Sequence, residues 1–194
     1  MIQLPFNEQL TNLQSWQQSV FCMALAEHTL LHFHLFCEAT SKDEDGKTID
    51  NINQLFWEKM TVKGAKINFT IQQENFEEII PDIRDHDFYG VYPAVEYCVI
   101  MSCAFNSFLI KSDEEALNAS QTSFATIASF IELQNDSEID ESDLKTDPLF
   151  QNELQFQADL LEKLNNERSP ELIKSIRKFV VDYGTTNLGI ALND

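Results

Sequence analysis

The chain has 194 residues, with 13 Lys and Arg against 32 Asp and Glu, and a formal net charge of −19. A surface this acidic argues against general nucleic-acid binding and attachment to a membrane surface, because gripping phosphate backbones or anionic lipid needs extensive clustered cations. A hydrophobic content of 43% and a charged content of 23% belong to a chain that folds around a core, and the length fits a single domain over residues 1–194.

Apolar spacing is helical nearly throughout. Leu10, Leu13, Trp16, Val20, Phe21, Ala24 and Leu25 recur at intervals of three and four, which predicts a first helix with Asn7 placed to cap it. Residues 29–40 continue the run but are apolar on too many faces for one straight surface helix, so a break is expected near residues 28–31. Residues 41–47, with Asp43, Glu44, Asp45 and Gly46, read as a polar loop. Ile49, Ile52, Leu55, Phe56 and Met60 predict a third helix, and Phe69, Phe76, Ile79 and Ile80 a fourth that stops before Pro81. Between these two, residues 62–68 form a basic loop with Lys63, Gly64 and Lys66; residues 82–87 are again polar.

Residues 94–110 are the most apolar part of the chain. Glu96, Ser102, Asn106 and Ser107 interrupt them too often for a membrane span, which needs about 20 predominantly apolar residues. A helix apolar on all sides belongs at the centre of a bundle. Ser112 and Glu115 have the spacing of a capping box and open a helix marked by Leu117, Phe124, Ile127, Ala128 and Ile131. Asp147 before Pro148 and Ser169 before Pro170 each place a capping side chain ahead of a proline at the first helical position. They open helices marked by Phe150, Leu154, Gln157, Leu161 and Leu164, then by Leu172, Ile173, Ile176, Phe179, Val180 and Tyr183, and Gly184 suits a left-handed turn after the last. Residues 187–192 are an apolar tail expected to lie against the bundle. These elements predict an all-α, single-domain helical bundle of about seven or eight helices around the central apolar helix 94–110.

Charge is spread unevenly. Residues 1–41 hold Glu8, Glu27 and Glu38 and no Lys or Arg, so they cannot supply the positive start of a secretory signal; a cytoplasmic protein is expected. Residues 132–147 set seven acids against Lys145 alone, the densest acidic stretch of the chain. Cys22, Cys37, Cys98 and Cys103 form no metal-type spacing and read as reduced, buried thiols.

Four groups of residues raise the question of chemistry. His28 and His32 stand four apart, as two metal ligands on one helical face would, but no Glu follows the first in the metalloprotease pattern, and the favoured reading is partly buried histidines at a helix break. Glu96 is a carboxylate on an apolar helix, to be read either as a buried acid–base group or as an acid in the first turn after Pro93, stabilised by the helix dipole; Lys63 and Lys66 are its cationic partners by type. The aromatic run at residues 88–94, with Tyr89 and Tyr92, either offers helix-start N–H groups to an anion or walls the core. Lys174, Arg177 and Lys178 form a small basic face, suited to a phosphate or to the protein's own acidic segment. No catalytic motif is present, and no cofactor is expected.

The pairs and triplets Trp57-Glu58, Thr61-Val62-Lys63, Ala65-Lys66, Asn68-Phe69 and Phe76-Glu77-Glu78, with Pro81 and the run Tyr89-Gly90-Val91-Tyr92-Pro93-Ala94, resemble the YjaG-like family of small bacterial proteins. Leu13, Ser15-Trp16-Gln17 and Phe36-Cys37 near the start, and Glu171-Leu172-Ile173-Lys174, Arg177, Asn187 and Gly189-Ile190 near the end, extend the resemblance over essentially the whole chain. It implies a helical bundle in a bacterial cytoplasm and, the family being a domain of unknown function, supplies no catalytic residues. The residues support a cytoplasmic acidic interaction or regulatory module that binds a basic protein partner, as a monomer or homodimer. One alternative is a small-ligand-binding protein or enzyme with a pocket formed by Trp57, Lys63, Lys66, Tyr89, Tyr92 and Glu96. Another is a DNA mimic, which predicts a continuous acidic stripe rather than one dense segment.

Overall fold

In the computed structural model, which describes residues 2–110 and 112–191, the chain opens with a five-residue helix, α1 (Asn7–Thr11), turns at residues 12–14, and enters α2 (Ser15–Thr40). Asn7 lies inside α1 rather than capping a longer helix, and the break expected near residues 28–31 is absent: α2 runs unbroken for 26 residues. The physical reason is its position. Helices pack against α2 from several directions, and every residue from Val20 to Ala26 is at most 1% exposed. An apolar circumference calls for a break only on a surface helix, and α2 is an axis. By length and composition alone it could cross a membrane; in this fold it is the buried centre.

The second correction is at residues 41–47. Ser41 turns the chain with φ 56°, and α3 (Asp43–Thr61) starts inside the expected loop. Asp43, Glu44 and Asp45 fill its first turn, where the positive end of the helix dipole favours acids. Gly46 allows α3 to approach α2 closely, since a Cβ there would stand 3.4 Å from the His34 ring. α4 (Phe69–Glu77) is capped by Asn68, whose side chain accepts from the Thr70 N–H at 3.1 Å, and ends before Pro81. A single 3-10 turn, Ile83–Asp85, interrupts the polar stretch that follows.

α5 (Val91–Leu109) lies along α2, and α6 (Glu115–Asn135) packs on both. The capping box at Ser112 does not form. Among the described residues, Ser112 Oγ accepts from the Glu114 N–H alone, 3.2 Å away, and Glu115 is turned inward. Buried Gln18 of α2 takes over: its Oε1 accepts from Ala116 N–H at 2.7 Å, while its Nε2 donates to the carbonyls of Leu10 and Asp113. A cap supplied from 98 residues away leaves no local signature.

α7 (Glu141–Leu144) is one turn within the acidic segment. α8 (Pro148–Leu164) and α9 (Pro170–Tyr183) begin as expected: Asp147 accepts from Leu149 N–H at 2.8 Å and Ser169 from Leu172 N–H at 3.1 Å. Gly184, at φ 76°, ends α9 in the left-handed turn that a side chain would strain. The chain then folds back, with Thr186, Asn187 and Leu188 buried against the bundle; Leu192 of the expected tail lies outside the described residues. Among the described residues there are nine α-helices, two of them very short, and no strand, so the all-α bundle stands. One contiguous core joins them, including a cluster of Phe56, Phe69, Phe105 and Phe108 with neighbouring ring centres 4.5–5.1 Å apart. The four cysteines are free and buried, and burial raises their thiols well away from the reactive thiolate.

Candidate functional site

Three polar constellations stand out against this core. The first lies on the outer face of α5 and α6. Tyr89, in the turn before α5, faces Tyr92 and also Phe130 of α6, both at 5.9 Å between ring centres. Tyr92 and Val99 of α5, seven residues apart on one face, are 48% and 44% exposed, and Leu133 of α6 is 55% exposed. Glu96 lies between the two α5 residues, half-buried. Because α5 begins at Val91, Glu96 stands beyond the first turn, and the dipole-stabilised reading fails. Burial pushes its carboxyl up, and the Glu96 charge helps burial push Tyr89 to about 12. The polar neighbour of Glu96 is the Thr126 hydroxyl, not Lys63 or Lys66; that hydroxyl also reaches the Thr122 carbonyl at 3.0 Å and has one proton to give. Two of the N–H groups expected to bind an anion are already bonded, Val91 to the Phe88 carbonyl and Tyr92 to the Tyr89 carbonyl.

This face runs into the acidic segment at the end of α6. Glu132 accepts from Ile139 N–H, Asp147 caps α8 and Glu141 pairs with Lys145 at 2.6 Å. Asp136, Glu138, Asp140 and Asp143 are exposed and make no ion pair among the described residues.

Trp57 belongs to a second place, between α2, α3 and α9. Its Nε1 donates to Glu27 Oε2 at 2.7 Å, and the Arg177 guanidinium lies over its ring. Arg177 also reaches Glu27 at 3.5 Å and donates to Gln54 at 2.8 Å, while Lys178 pairs with Asp182 of its own helix. Of the basic face of α9, Arg177 is therefore turned to α2 and α3, while Lys178 is held on its own helix. Lys63 and Lys66 are exposed on the loop after α3. Of the six residues read together as a pocket, the structure brings Tyr89, Tyr92 and Glu96 together and puts Trp57 in a different setting.

The third constellation surrounds the two histidines of α2, and its main residue was not foreseen. His28 Nε2 donates to Glu153 Oε2 of α8 at 3.1 Å, both side chains being almost completely buried. The other carboxylate oxygen accepts from Ser123 Oγ at 2.7 Å and Gln157 Nε2 at 2.6 Å. Ser120 donates to Gln157, and Asn187 of the folded-back tail donates to Ser123. The His28 ring stacks on Phe156 at 4.0 Å with the edge of Tyr183 beside it. One turn along, Thr186 Oγ1 accepts from the N–H groups of Leu188 and Ile190, so its own proton goes to His32 Nε2 at 3.0 Å. Burial, with His28 adding, lowers His32 to about 4 and keeps it neutral. The two rings thus serve separate partners, and among the described residues no group of three His, Cys, Asp or Glu side chains is placed to hold a metal ion.

Glu153 had a signal in the sequence. It sits three after Phe150 and four before Gln157, on the stripe that continues to Leu160, Leu161 and Leu164, and an acid on that stripe has to be buried.

The sequence profile of a family described as "Protein of unknown function (DUF416)" matches residues 5–191. Proteins called "Uncharacterized protein YjaG" from Salmonella typhimurium and Escherichia coli are each 38% identical to the chain over 193 residues, 98% of both partners. An uncharacterized protein of Haemophilus influenzae is 36% identical over 189 residues, 96% of each chain. The crystal structure of a DUF416 family protein from Shewanella baltica superposes with a TM-score of 0.88 at 27% identity, covering 98% of this chain and all of the other.

Proposed function

The chain belongs to the DUF416 family, to which no function is assigned, and we propose that it is a cytoplasmic binding protein whose α5–α6 face docks a basic, amphipathic segment of a partner protein. The observation that carries this reading is a set of exposed apolar side chains, Tyr92 and Val99 on α5 and Leu133 on α6, on helices packed together, with four exposed acids that make no ion pair among the described residues in the segment directly after α6. The apolar side chains supply affinity: burying a fully exposed aliphatic side chain is worth about 1.5–3 kcal/mol, and covering the exposed half of each of these supplies about half of that. The acids supply choice of partner and speed of encounter, since unpaired like charges attract a cationic surface and repel an acidic one. Aromatic residues such as Tyr89, Tyr92 and Phe130 give large contact area at small entropy cost, as interface anchors do.

A photo-crosslinking residue placed at Val99 in the native host tests the proposal, with a second at Ile71 on α4 as control. The expected adduct forms from Val99 only, maps to a Lys- and Arg-rich segment, and is lost both when Asp136, Glu138, Asp140 and Asp143 are changed to their amides and when Leu133 is changed to Ser. An adduct on an acidic or uncharged segment, or one that survives both sets of changes, overturns it.

A further inference from the structure

A cavity of about 240 Å³ lies at the end of the bundle where the start of α2, the last turns of α3 and α5, the turn before α9 and α9 itself meet. Trp16, Val20, Met60, Phe108 and Ile173 make its walls apolar. Trp16 Nε1 donates to Gln14 Oε1 at 3.0 Å, which holds the ring in place, so this wall is formed before anything binds. The hydroxyls in the lining are satisfied. Ser107 Oγ donates to the Ala104 carbonyl at 2.7 Å and stands 2.9 Å from Ser19 Oγ, which donates to the Ser15 carbonyl at 3.2 Å. The charged groups are not. Among the described residues six Lys and Arg side chains pair with a carboxylate, but Lys59 and Arg168, both exposed and both lining this cavity, do not. Lys59 Nζ donates to the Ala65 carbonyl at 2.8 Å, which fixes the ammonium and leaves its charge uncancelled; the Arg168 guanidinium lies over the Trp16 ring, 5.9 Å from its centre. In a chain of 32 acids against 13 cations, a cavity lined by two cations and by no Asp or Glu is the exception.

We propose that this cavity binds a small carboxylate with an apolar body, its carboxylate held at the mouth by Arg168 and Lys59 and its body against Trp16, Met60 and Phe108. The sign of the lining sets the head group. Lys and Arg are donors only, and the guanidinium fork matches a carboxylate with two parallel hydrogen bonds. An amine is rejected, because it meets like charge and finds no acid in the lining. The walls set the rest of the ligand: a fully hydrated ion such as phosphate gains nothing from them, whereas an apolar body covers side chains that otherwise face water. The volume, below the ~300–1,000 Å³ usual for drug-sized ligands, keeps the molecule small. The net charge of the protein works against any anion at long range, so affinity rests on contact at this one place and on the two cations beside it. The cavity shares no lining residue with the α5–α6 face and does not depend on that reading.

The test is a titration of nitrogen-15-labelled protein with phenylacetate and hexanoate, each against its neutral amide, phenylacetamide and hexanamide, followed through the two indole N–H resonances, which Trp16→Phe assigns. At least one of the two carboxylates should move the Trp16 signal saturably at millimolar concentration and leave that of Trp57 in place, and its amide should bind about tenfold more weakly or worse. Arg168→Gln and Lys59→Gln, changes at exposed side chains that leave the core untouched, should each weaken the carboxylate about fivefold or more. Lys47→Gln, the same change of net charge at an exposed residue of the first turns of α3, should leave its affinity unchanged. No saturable shift with either carboxylate, equal binding of carboxylate and amide, or equal losses in the Arg168 and Lys47 variants overturns the proposal.

Discussion

Replacing Glu153 measures how much of the fold rests on its buried carboxylate. In Glu153→Ala, His28 Nε2, Gln157 Nε2 and Ser123 Oγ all lose their acceptor. Ser123 can turn its hydroxyl to a carbonyl of its own helix, which leaves two donors in a site that is closed to water, at about 1–3 kcal/mol each. The void left by the missing side chain adds to that, so the total loss is roughly 3–6 kcal/mol, a large part of the 5–15 kcal/mol typical of a folded domain. Glu153→Gln is the informative partner. Its oxygen still accepts from Ser123 and Gln157, but its amide must face His28 Nε2, which then has to be the acceptor and carry its proton on Nδ1; a cost of about 1–2 kcal/mol is expected. Urea denaturation followed by far-ultraviolet circular dichroism compares the two. A loss below about 1 kcal/mol for the alanine variant, or equal losses for both, would show that the network is not satisfied in the way described.

His32 gives stability a dependence on pH. Its folded value of about 4 lies below the ordinary 6.5, so between those values the unfolded chain binds a proton that the folded chain refuses. Stability is therefore full above the upper value and falls as pH drops towards the lower one, by about 3 kcal/mol from this group. His32→Gln should remove that part of the slope in denaturation measured at pH values across this range, and an unchanged slope would refute the assignment. Among the caps, Ser169→Ala should cost about 1 kcal/mol in thermal or urea unfolding, whereas Ser112→Ala should be close to neutral because Gln18 occupies the place at the start of α6. Equal losses at the two serines would contradict the placement of Gln18.

What could be read from the sequence was local. Asp147 and Ser169 announce their helices because cap and capped N–H are two or three residues apart. The same locality misled at Ser112, where the spacing of a capping box is present but a glutamine from another helix does the work. It misleads again at α2, where an apolar circumference predicts a break, because nothing in a single segment says how many neighbours will cover it. The partners of the histidines were beyond reach for the same reason: Glu153 is 125 residues from His28, and Thr186 is 154 from His32. Periodicity placed Phe150 and Gln157 on the buried stripe of α8, yet an acid between them looks like any surface acid until the stripe is counted through it. Tyr89, Tyr92 and Glu96 were within reach because they are neighbours in one turn and one helix, and Trp57 was grouped with them only by residue type.

The central position of α2 bears on how the protein is made. Its 26 residues leave the ribosome early, while the elements that cover them extend to the folded-back chain at Leu188. At roughly 5–20 residues per second, the intervening stretch takes on the order of ten to thirty seconds to synthesise. For that interval the nascent chain carries a helix long and apolar enough to enter a bilayer, preceded and followed within residues 1–41 by no cation that would orient it there. Chaperone binding to ribosome-attached chains should thus rise once α2 has emerged and fall only when α9 has docked, and a stop codon placed before Pro170 should leave a product that is held by chaperones or degraded rather than a smaller folded protein.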